Sequence, residues 1–485
     1  MSTTSLPRAK EVTNAARDAL AAFNMTRSAS AAERGVWLEA TASALEDSRD
    51  ELVAIAAEET HLTVARLEGE VARTATQLRL FAATLADGGY VEAIIDHARP
   101  EATPPTPDLR RMLQPLGPVA VFSASNFPFA FSVLGGDTAS AIAAGCPVIV
   151  KAHSGHPSLS ARTAEVALAA LQGAGAPAGI LGLVRGRAAG TALVTAPEVA
   201  AVGFTGSVQG GRALFDLASA RPDPIPFYGE LGSVNPVFVT AKADAARSVE
   251  LAAGLVTSFQ LGHGQFCTKP GLVFIPEGGR FEGEVAALLG ESGSARLLTA
   301  SIEASYRERV AKLSVAPGVR RVGGAPRQPD HAGASSVVFA TDIATASANP
   351  ELLEETFGPT TLLVSYTSLD DALHLAARLG GSLTATLHAE PGEPVADLAR
   401  HLTAITGRVL FAGWPTGVAV TWAQHHGGPW PATTSPHTSV GPTAIRRFLR
   451  PVAYQSAPTA ALPPELRDGN PLGIPRRVDG AVGLR

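Results

Sequence analysis

Over residues 8–88 apolar side chains recur at helical spacing. They run through Leu38, Ala42, Leu45, Leu52 and Ile55, with Trp37 beside the first, and predict a helical segment. A Pro-rich connector, Pro100 to Pro107, ends it, and a charged extended segment follows around Arg110 and Arg111. From Pro118 the rhythm changes to short β-rich runs alternating with Ala-rich helical runs. The strands expected are Val119–Ser123, Pro147–Lys151, Ile180–Val184, Val199–Phe204 and Pro236–Val239. Helices between them open near Phe131, Pro157, Ala188 and Ser207. Such alternation argues a parallel sheet with crossover helices. A second α/β stretch runs from about residue 243 to 436. The tail, 456–485, is rich in Pro and Gly with little periodicity; it reads as either mobile or laid across a neighbouring subunit. No internal repeat is visible.

Length and composition narrow the class. A chain of 485 residues exceeds one compact core, so two or three domains are expected. A hydrophobic share of 46% against a charged share of 17% supplies large buried cores and argues against overall disorder. Net charge is −5, and no basic stretch is long enough to track a nucleic-acid backbone. Two cysteines cannot make a disulfide framework, and a reactive thiol needs a reducing compartment. Met1 to Lys10 lacks the apolar core of a signal peptide, and the apolar stretches are broken well short of a membrane span. A soluble cytoplasmic protein, with no nucleic-acid or membrane partner, is expected.

Chemistry concentrates in a few segments. Cys267 lies in Gly264-Gln265-Phe266-Cys267-Thr268, and Glu230 in Tyr228-Gly229-Glu230-Leu231-Gly232. A thiol that can attack a carbonyl and a carboxylate that can activate water describe covalent carbonyl oxidation through a thioester. The run Phe204-Thr205-Gly206-Ser207-Val208-Gln209-Gly210-Gly211 follows a strand and opens a helix. Gly206 lets the backbone turn, Ser207 can cap the helix, and the free N–H groups suit a pyrophosphate. An ordinary capped turn would read the same way. Lys151 ends an apolar strand, where ligands of open α/β sheets gather. Gly173-Ala174-Gly175 is read as a helix cap and connector rather than a dinucleotide fingerprint. His153 and His156 have an H-x-x-H spacing without a further local ligand, so no metal is expected. Cys146 is read as a buried, inert thiol.

Six motifs in order carry a resemblance over essentially the whole chain. They are Ser125-Asn126-Phe127-Pro128, Val150-Lys151, the Phe204–Ser207 turn, Glu230-Leu231-Gly232, Gly264–Cys267 and Glu354-Glu355-Thr356-Phe357-Gly358-Pro359. Together they resemble the aldehyde dehydrogenase superfamily. Four more features look like its branch of α-ketoglutaric semialdehyde (2,5-dioxopentanoate) dehydrogenases and bacterial NADP-linked fatty-aldehyde dehydrogenases. These are Leu231-Gly232-Ser233-Val234-Asn235-Pro236, Cys267-Thr268-Lys269-Pro270, His426-Gly427-Gly428-Pro429 with Pro431-Ala432-Thr433, and Asn470-Pro471-Leu472-Gly473-Ile474.

The resemblance implies an α/β aldehyde dehydrogenase fold. A Rossmann-like NAD(P)-binding domain would take residues 1–100 and 119–232 and an α/β catalytic domain 233–436. A small oligomerisation arm with the C-terminal tail would take 101–118 and 437–485. It implies Cys267 as nucleophile, Asn126 with the Cys267 N–H as oxyanion hole, and Glu230 as general base. Lys151 and Glu355 would hold the adenosine and nicotinamide riboses, and Phe357 would pack near the nicotinamide. Thr205, Gly206 and Ser207 would contact the pyrophosphate. Ser154 stands where the superfamily commonly has an acid, and Arg187 could reach a 2′-phosphate, so NADP is expected to be preferred and NAD possible. His426 reads either as an active-site residue or as a loop histidine positioning the Gly-Gly turn. Phe127, Phe131, Phe266 and Trp430 are candidates for a substrate tunnel, and no single Arg is clearly placed for a substrate carboxylate. The expected reaction turns 2,5-dioxopentanoate into 2-oxoglutarate, with a medium- or long-chain fatty aldehyde as alternative and a catalytically dead scaffold as the third reading. A homodimer or homotetramer is implied.

Overall fold

A computed structural model describes residues 5–289, 294–324, 333–415 and 417–483. The expected helical segment resolves into α1 (Ser5–Thr26), α2 (Ala31–Asp47), α3 (Arg49–Thr60) and α4 (Val64–Asp87). Ser30 and Glu33 form a reciprocal capping box that starts α2. Gly88, in the left-handed region at φ 75°, ends α4. Two short strands follow, β1 (Ala93–Asp96) and β2 (Leu109–Pro115). The alternating part runs β3 (Val119–Phe122), α5 (Gly136–Ala144), β4 (Val148–Ala152), α6 (Pro157–Gly173), β5 (Leu181–Arg185), α7 (Arg187–Thr195), β6 (Ala201–Thr205), α8 (Val208–Ser219) and β7 (Phe227–Glu230).

Strands β3 to β7 form one parallel sheet in the order β5-β4-β3-β6-β7. Continuous apolar runs such as Val119–Phe122 fit strands covered on both faces. The order reverses direction between β3 and β6, the place where open α/β sheets bind ligands. One expected helix is displaced: it begins at Gly136, not near Phe131. The buried Glu70 carboxylate accepts the N–H groups of Phe129 and Ala130 at 2.8 and 3.0 Å, which holds residues 126–135 as turns. Gly173 is the last residue of α6 and Gly175 has φ 81°, so the glycine pair does serve as a connector.

The second α/β stretch supplies β8 (Pro236–Val239), α9 (Ala241–Gln260), β9 (Leu272–Pro276), α10 (Phe281–Leu289), β10 (Ser294–Ala295), α11 (Ala300–Val315), β11 (Arg320–Gly323), β12 (Ala334–Ser335), β13 (Val337–Asp342), α12 (Ile343–Ala348), β14 (Thr360–Tyr366), α13 (Leu369–Ala376), β15 (Ser382–His388), α14 (Ala396–Ile405) and β16 (Thr406–Phe411). Seven of these strands make a second sheet, β11-β13-β14-β9-β8-β15-β16, parallel except at the edge strand β11.

The tail departs from its reading. It adds β18 (Arg476–Val478) and β19 (Ala481–Gly483) to a small sheet, β17-β2-β1-β18-β19, whose β17 is Leu449–Gln455. Residues 93–96, within the segment 1–100 assigned to the cofactor domain, pair in this small sheet instead. Three-residue strands are too short to leave a period in the sequence, so the tail reads as featureless. Leu462, Leu466 and Ile474 are buried on the tail side, and Asn470 closes a turn by bonding both the N–H and the C=O of Ile474. Arg110 fixes this segment: its guanidinium donates to Asp108 at 2.9 Å, to the Leu466 carbonyl at 2.7 Å and to Asp468 at 2.7 Å. No helix among the described residues is long and apolar enough to cross a membrane.

Removing Arg110 strips the tail of a charged donor that ties it to β2, a loss worth roughly 1.5–3 kcal/mol. In Arg110→Ala, limited trypsin digestion is expected to cut beyond Gln455 well before the rest of the chain. Digestion at the parent's rate would mean that the tail is anchored elsewhere.

Candidate active site

The segment carrying Cys267 is shaped by backbone constraints. After α9, Gly262, His263 and Gly264 all adopt positive φ, at 57°, 55° and 68°. A Cβ on Gly264 would collide with the Gly358 carbonyl, so this loop closes directly on the Glu355–Pro359 segment. Asn235, buried and itself at φ 52°, pins the loop from the other side. Its amide nitrogen donates to the carbonyls of Cys267 at 2.8 Å and Lys269 at 2.9 Å. Its oxygen accepts from Ser233 Oγ at 2.6 Å and from the N–H of Thr384 on β15 at 3.2 Å.

Glu230 closes β7, and the segment after His426 pairs with that strand end. Leu231 donates its N–H to Ala432 at 2.9 Å, and Thr434 donates to Gly229 at 3.0 Å. This pairing carries His426 to Glu230. His426 Nε2 lies 3.2 Å from Glu230 Oε1 and 3.5 Å from Cys267 Sγ. Ser439 Oγ donates to the other carboxylate oxygen at 3.0 Å. Asn126, on the loop after β3, donates its amide to the Gln265 carbonyl at 3.0 Å, while its own carbonyl accepts from Arg66 at 2.5 Å.

Charge and burial oppose one another here. Burial and the neighbouring Glu230 carboxylate push the Cys267 thiol well above its ordinary value. Burial also disfavours an ionised Glu230, but His426 and the hydrogen bonds around it outweigh that and hold the carboxyl below its usual range. Cys146 is fully enclosed, and burial pushes its thiol up to about 11. The donor atoms of Glu230, Cys267 and His426 lie within 4.8 Å of one another. They are the one such group among the described residues compact enough to hold an ion as well as to relay a proton.

The side facing the parallel sheet suits a dinucleotide. Lys151, half-buried at the end of β4, has no hydrogen-bond or ion-pair partner among the described residues, and burial lowers its value. An unpartnered ammonium at a strand's carboxyl end is what a ribose or phosphate would satisfy. Ser154, three residues after Lys151, is exposed, as is Arg187, the first residue of α7, which follows the end of the neighbouring strand β5. Ser207 caps α8 by accepting from Gly210 at 3.2 Å, with Thr205 and Gly206 half-buried before it. Glu355 accepts from the Ser233 N–H at 3.3 Å and feels the Lys269 ammonium; burial raises the acid and lowers the amine. Phe357 is half-buried beyond it.

The aromatic candidates divide. Phe127 meets Phe131 and Phe266 with centroids 5.5 and 5.0 Å apart, and Phe131 lies 6.4 Å from the His426 ring. Trp430 does not join them; it is 47% exposed and lies against Phe215 and Arg212 of α8. His156 is buried and bonded to Ser160 and the Ala124 carbonyl. Sequence reasoning missed Ser439, Arg66, Glu70, Arg73 and Arg408. The signal for three of them was present: residues 66, 70 and 73 put charge at helical spacing on the buried side of α4.

The chain is similar to known proteins over most of its length. A family model described as "Aldehyde dehydrogenase family" matches residues 1–429. The chain is 47% identical over 476 residues to α-ketoglutaric semialdehyde dehydrogenase 2 of Azospirillum brasilense, covering 96% of this chain and 90% of that one. It is 42% identical over 480 residues to α-ketoglutaric semialdehyde dehydrogenase of Acinetobacter baylyi, covering 97% and 91%. In fold it is similar to a solved lactaldehyde dehydrogenase, with a TM-score of 0.80 and 21% identity over 92% of this chain and 91% of that one.

The Cys267–Glu230 electrostatics can be read by alkylation. Glu230→Gln removes the negative charge beside the thiol, which favours the thiolate and lowers the thiol's value. At fixed pH near neutrality, iodoacetamide is expected to modify Cys267 faster in the variant than in the parent. A slower or equal rate would show that the carboxylate does not oppose ionisation.

Proposed function

The chain belongs to the aldehyde dehydrogenase family, and on that premise we propose that it oxidises 2,5-dioxopentanoate to 2-oxoglutarate, using NADP in preference to NAD. The observation that carries the chemistry is the file of Cys267 Sγ, His426 Nε2 and Glu230 Oε1, with separations of 3.5 and 3.2 Å. The substrate reading is supported by the two relatives that resemble the chain over nearly its full length.

The steps follow from the positions of the side chains. As Cys267 Sγ bonds to the aldehyde carbon, its proton passes to His426 Nε2, and the imidazolium so formed faces the Glu230 carboxylate. The carbonyl oxygen becomes an oxyanion, for which the Asn126 amide and the Cys267 N–H are the donors; one such donor is worth roughly 3–4 kcal/mol in the barrier. When bound, an oxidised nicotinamide dinucleotide supplies the hydride acceptor. Lys151, Thr205, Gly206, Ser207, Glu355 and Phe357 would hold it. The acyl group stays on Cys267 as a thioester. Glu230, oriented by Ser439, takes a proton from water, whose oxygen attacks the thioester carbon. The C–S bond then breaks, the leaving sulfur takes back the proton held on His426, the free acid is released, and Glu230 gives its proton to solvent.

The Phe127, Phe131 and Phe266 group favours a second reading, an alkyl aldehyde. A homo-oligomer is part of the proposal. The outer edge of β17 has no strand partner among the described residues and is open to pairing. A cytoplasmic location is proposed from the reactive thiol.

The test is turnover with 2,5-dioxopentanoate and no CoA. Cys267→Ser is expected to abolish it, and Glu230→Gln to leave a burst of reduced cofactor with slow steady turnover as thioester accumulates. Retention of most of kcat by Cys267→Ser would refute the covalent route, and no burst with no acyl adduct by mass spectrometry would move Glu230 ahead of hydride loss.

Cofactor choice is tested at Ser154. An acid there would repel a 2′-phosphate, so Ser154→Glu is expected to raise KM for NADP sharply and KM for NAD much less. The comparison is made at fixed ionic strength because salt screens phosphate contacts. A clear preference of the unmodified protein for NAD would sink the proposed selectivity.

A further inference from the structure

Two guanidinium groups in the surroundings of Cys267 have buried nitrogens without the hydrogen-bond partners that buried charges need. Arg408, on β16, has its Nε and Nη2 atoms buried and unpartnered. Arg73, on α4, has a buried, unpartnered Nε, and one terminal nitrogen makes a long bond of 3.3 Å to the Val418 carbonyl. Both are close enough to Cys267 for their charges to act on it.

Their placement is consistent with that. Arg73 stands over the rings of Phe127 and Phe131 at 5.6 and 5.4 Å, and Phe131 adjoins His426. Arg408 follows Gly407, which has no room for a Cβ because the Gly427 carbonyl, one residue from His426, packs against it. The two side chains thus come from a helix and from a strand of the larger sheet to the surroundings of Cys267 and His426. Arg66 gives one terminal nitrogen to the Asn126 carbonyl and lies over the rings of Phe127 and Phe266 at 5.2 and 4.9 Å; its other terminal nitrogen is also buried without a partner. Glu70 compensates part of the charge, but one of its oxygens is taken by the N–H groups of Phe129 and Ala130.

We propose that Arg73 and Arg408 form the anchor for the carboxylate of a short ω-oxo acid, setting its aldehyde carbon at Cys267. This rests on the substrate class proposed above. An unpaired buried cation is costly, and a carboxylate accepts from a guanidinium fork with good geometry. The ligand completes the hydrogen bonding that the protein leaves open. Burial lowers the values of both guanidinium groups, in line with sites desolvated in advance of an anion. The aromatic rings pack beside Arg73 and enclose the apolar middle of such a substrate, so the same pocket accounts for both the rings and the charges.

The experiment measures the ratio of kcat/KM for 5-oxopentanoate to that for pentanal. It uses the unmodified protein, Arg73→Met and Arg408→Met, with melting temperatures recorded. A charged hydrogen bond lost from a buried site corresponds to a fall in this ratio on the order of 10- to 100-fold, carried by KM for the oxo acid. Arg408→Lys is expected to recover part of it. If the unmodified protein prefers the oxo acid and neither variant changes the ratio, the anchor lies elsewhere while the substrate class stands. If the unmodified protein prefers pentanal, the substrate class fails and takes the anchor with it. Should a variant not fold, glutarate decides: it is expected to shield Cys267 from iodoacetamide in the unmodified protein where 1-pentanol does not, and equal modification overturns the proposal.

Discussion

The nucleophile is held through its own carbonyl. Asn235 spends both amide hydrogens on the carbonyls of Cys267 and Lys269, and its oxygen gathers Ser233 and Thr384. One buried side chain therefore joins the segment leaving Glu230, the loop bearing the thiol, and β15 of the larger sheet. Loss of any of these bonds would leave a buried polar group unsatisfied, so the arrangement is all or nothing. The flanking glycines contribute by absence: Gly264 lets the loop close on Gly358, where a methyl group would hold Cys267 away. The precision needed between a sulfur and a carboxylate from different sheets comes from this shared node, not from either sheet alone.

Around that fixed thiol, the pocket is crowded with charge. Glu70, Glu230 and Glu355 act on Arg66, Arg73 or Lys269 by charge, and among the described residues none of these carboxylates meets one of these cations as a close ion pair. Low dielectric makes each interaction strong, so the thiol's ionisation reflects the balance of the whole set. Before substrate binds, the carboxylates and burial keep the proton on sulfur. His426 offers the route for its removal without a permanently exposed thiolate, which would be open to oxidation.

What could be read from the sequence follows from how local each feature is. Strands β3, β4, β5, β6 and β8 announce themselves as apolar runs, and each lies within a residue or two of its expected limits. Cys267, Glu230, Asn126 and Lys151 sit in short motifs whose spacing survives in one dimension. The start of α5 was misplaced because a side chain from α4, Glu70, dictates the backbone there. The strands of the tail were invisible because each is three residues long and β18, on which β19 folds back, pairs with β1, almost the whole chain away. His426 stood open between two roles for the same reason: the contact that decides its position is with Glu230, far off in sequence.

The same logic separates chemistry from selectivity. Attack, oxyanion stabilisation and hydrolysis need groups set by turns and strand ends, and such positions keep recognisable neighbours. The groups that face the substrate's far end come from the inner face of a helix and from an edge strand, and neither position looks special in sequence. An arginine on a buried helical face reads as an error in the apolar stripe until the fold brings a second arginine to act on the same thiol. Arg73 and Arg408 then explain one another: each is a desolvated cation with buried nitrogens that the protein leaves without hydrogen-bond partners, and both act on a single sulfur. A catalytic apparatus common to many aldehydes can be narrowed to acids in this way without altering a residue that touches the reacting carbon.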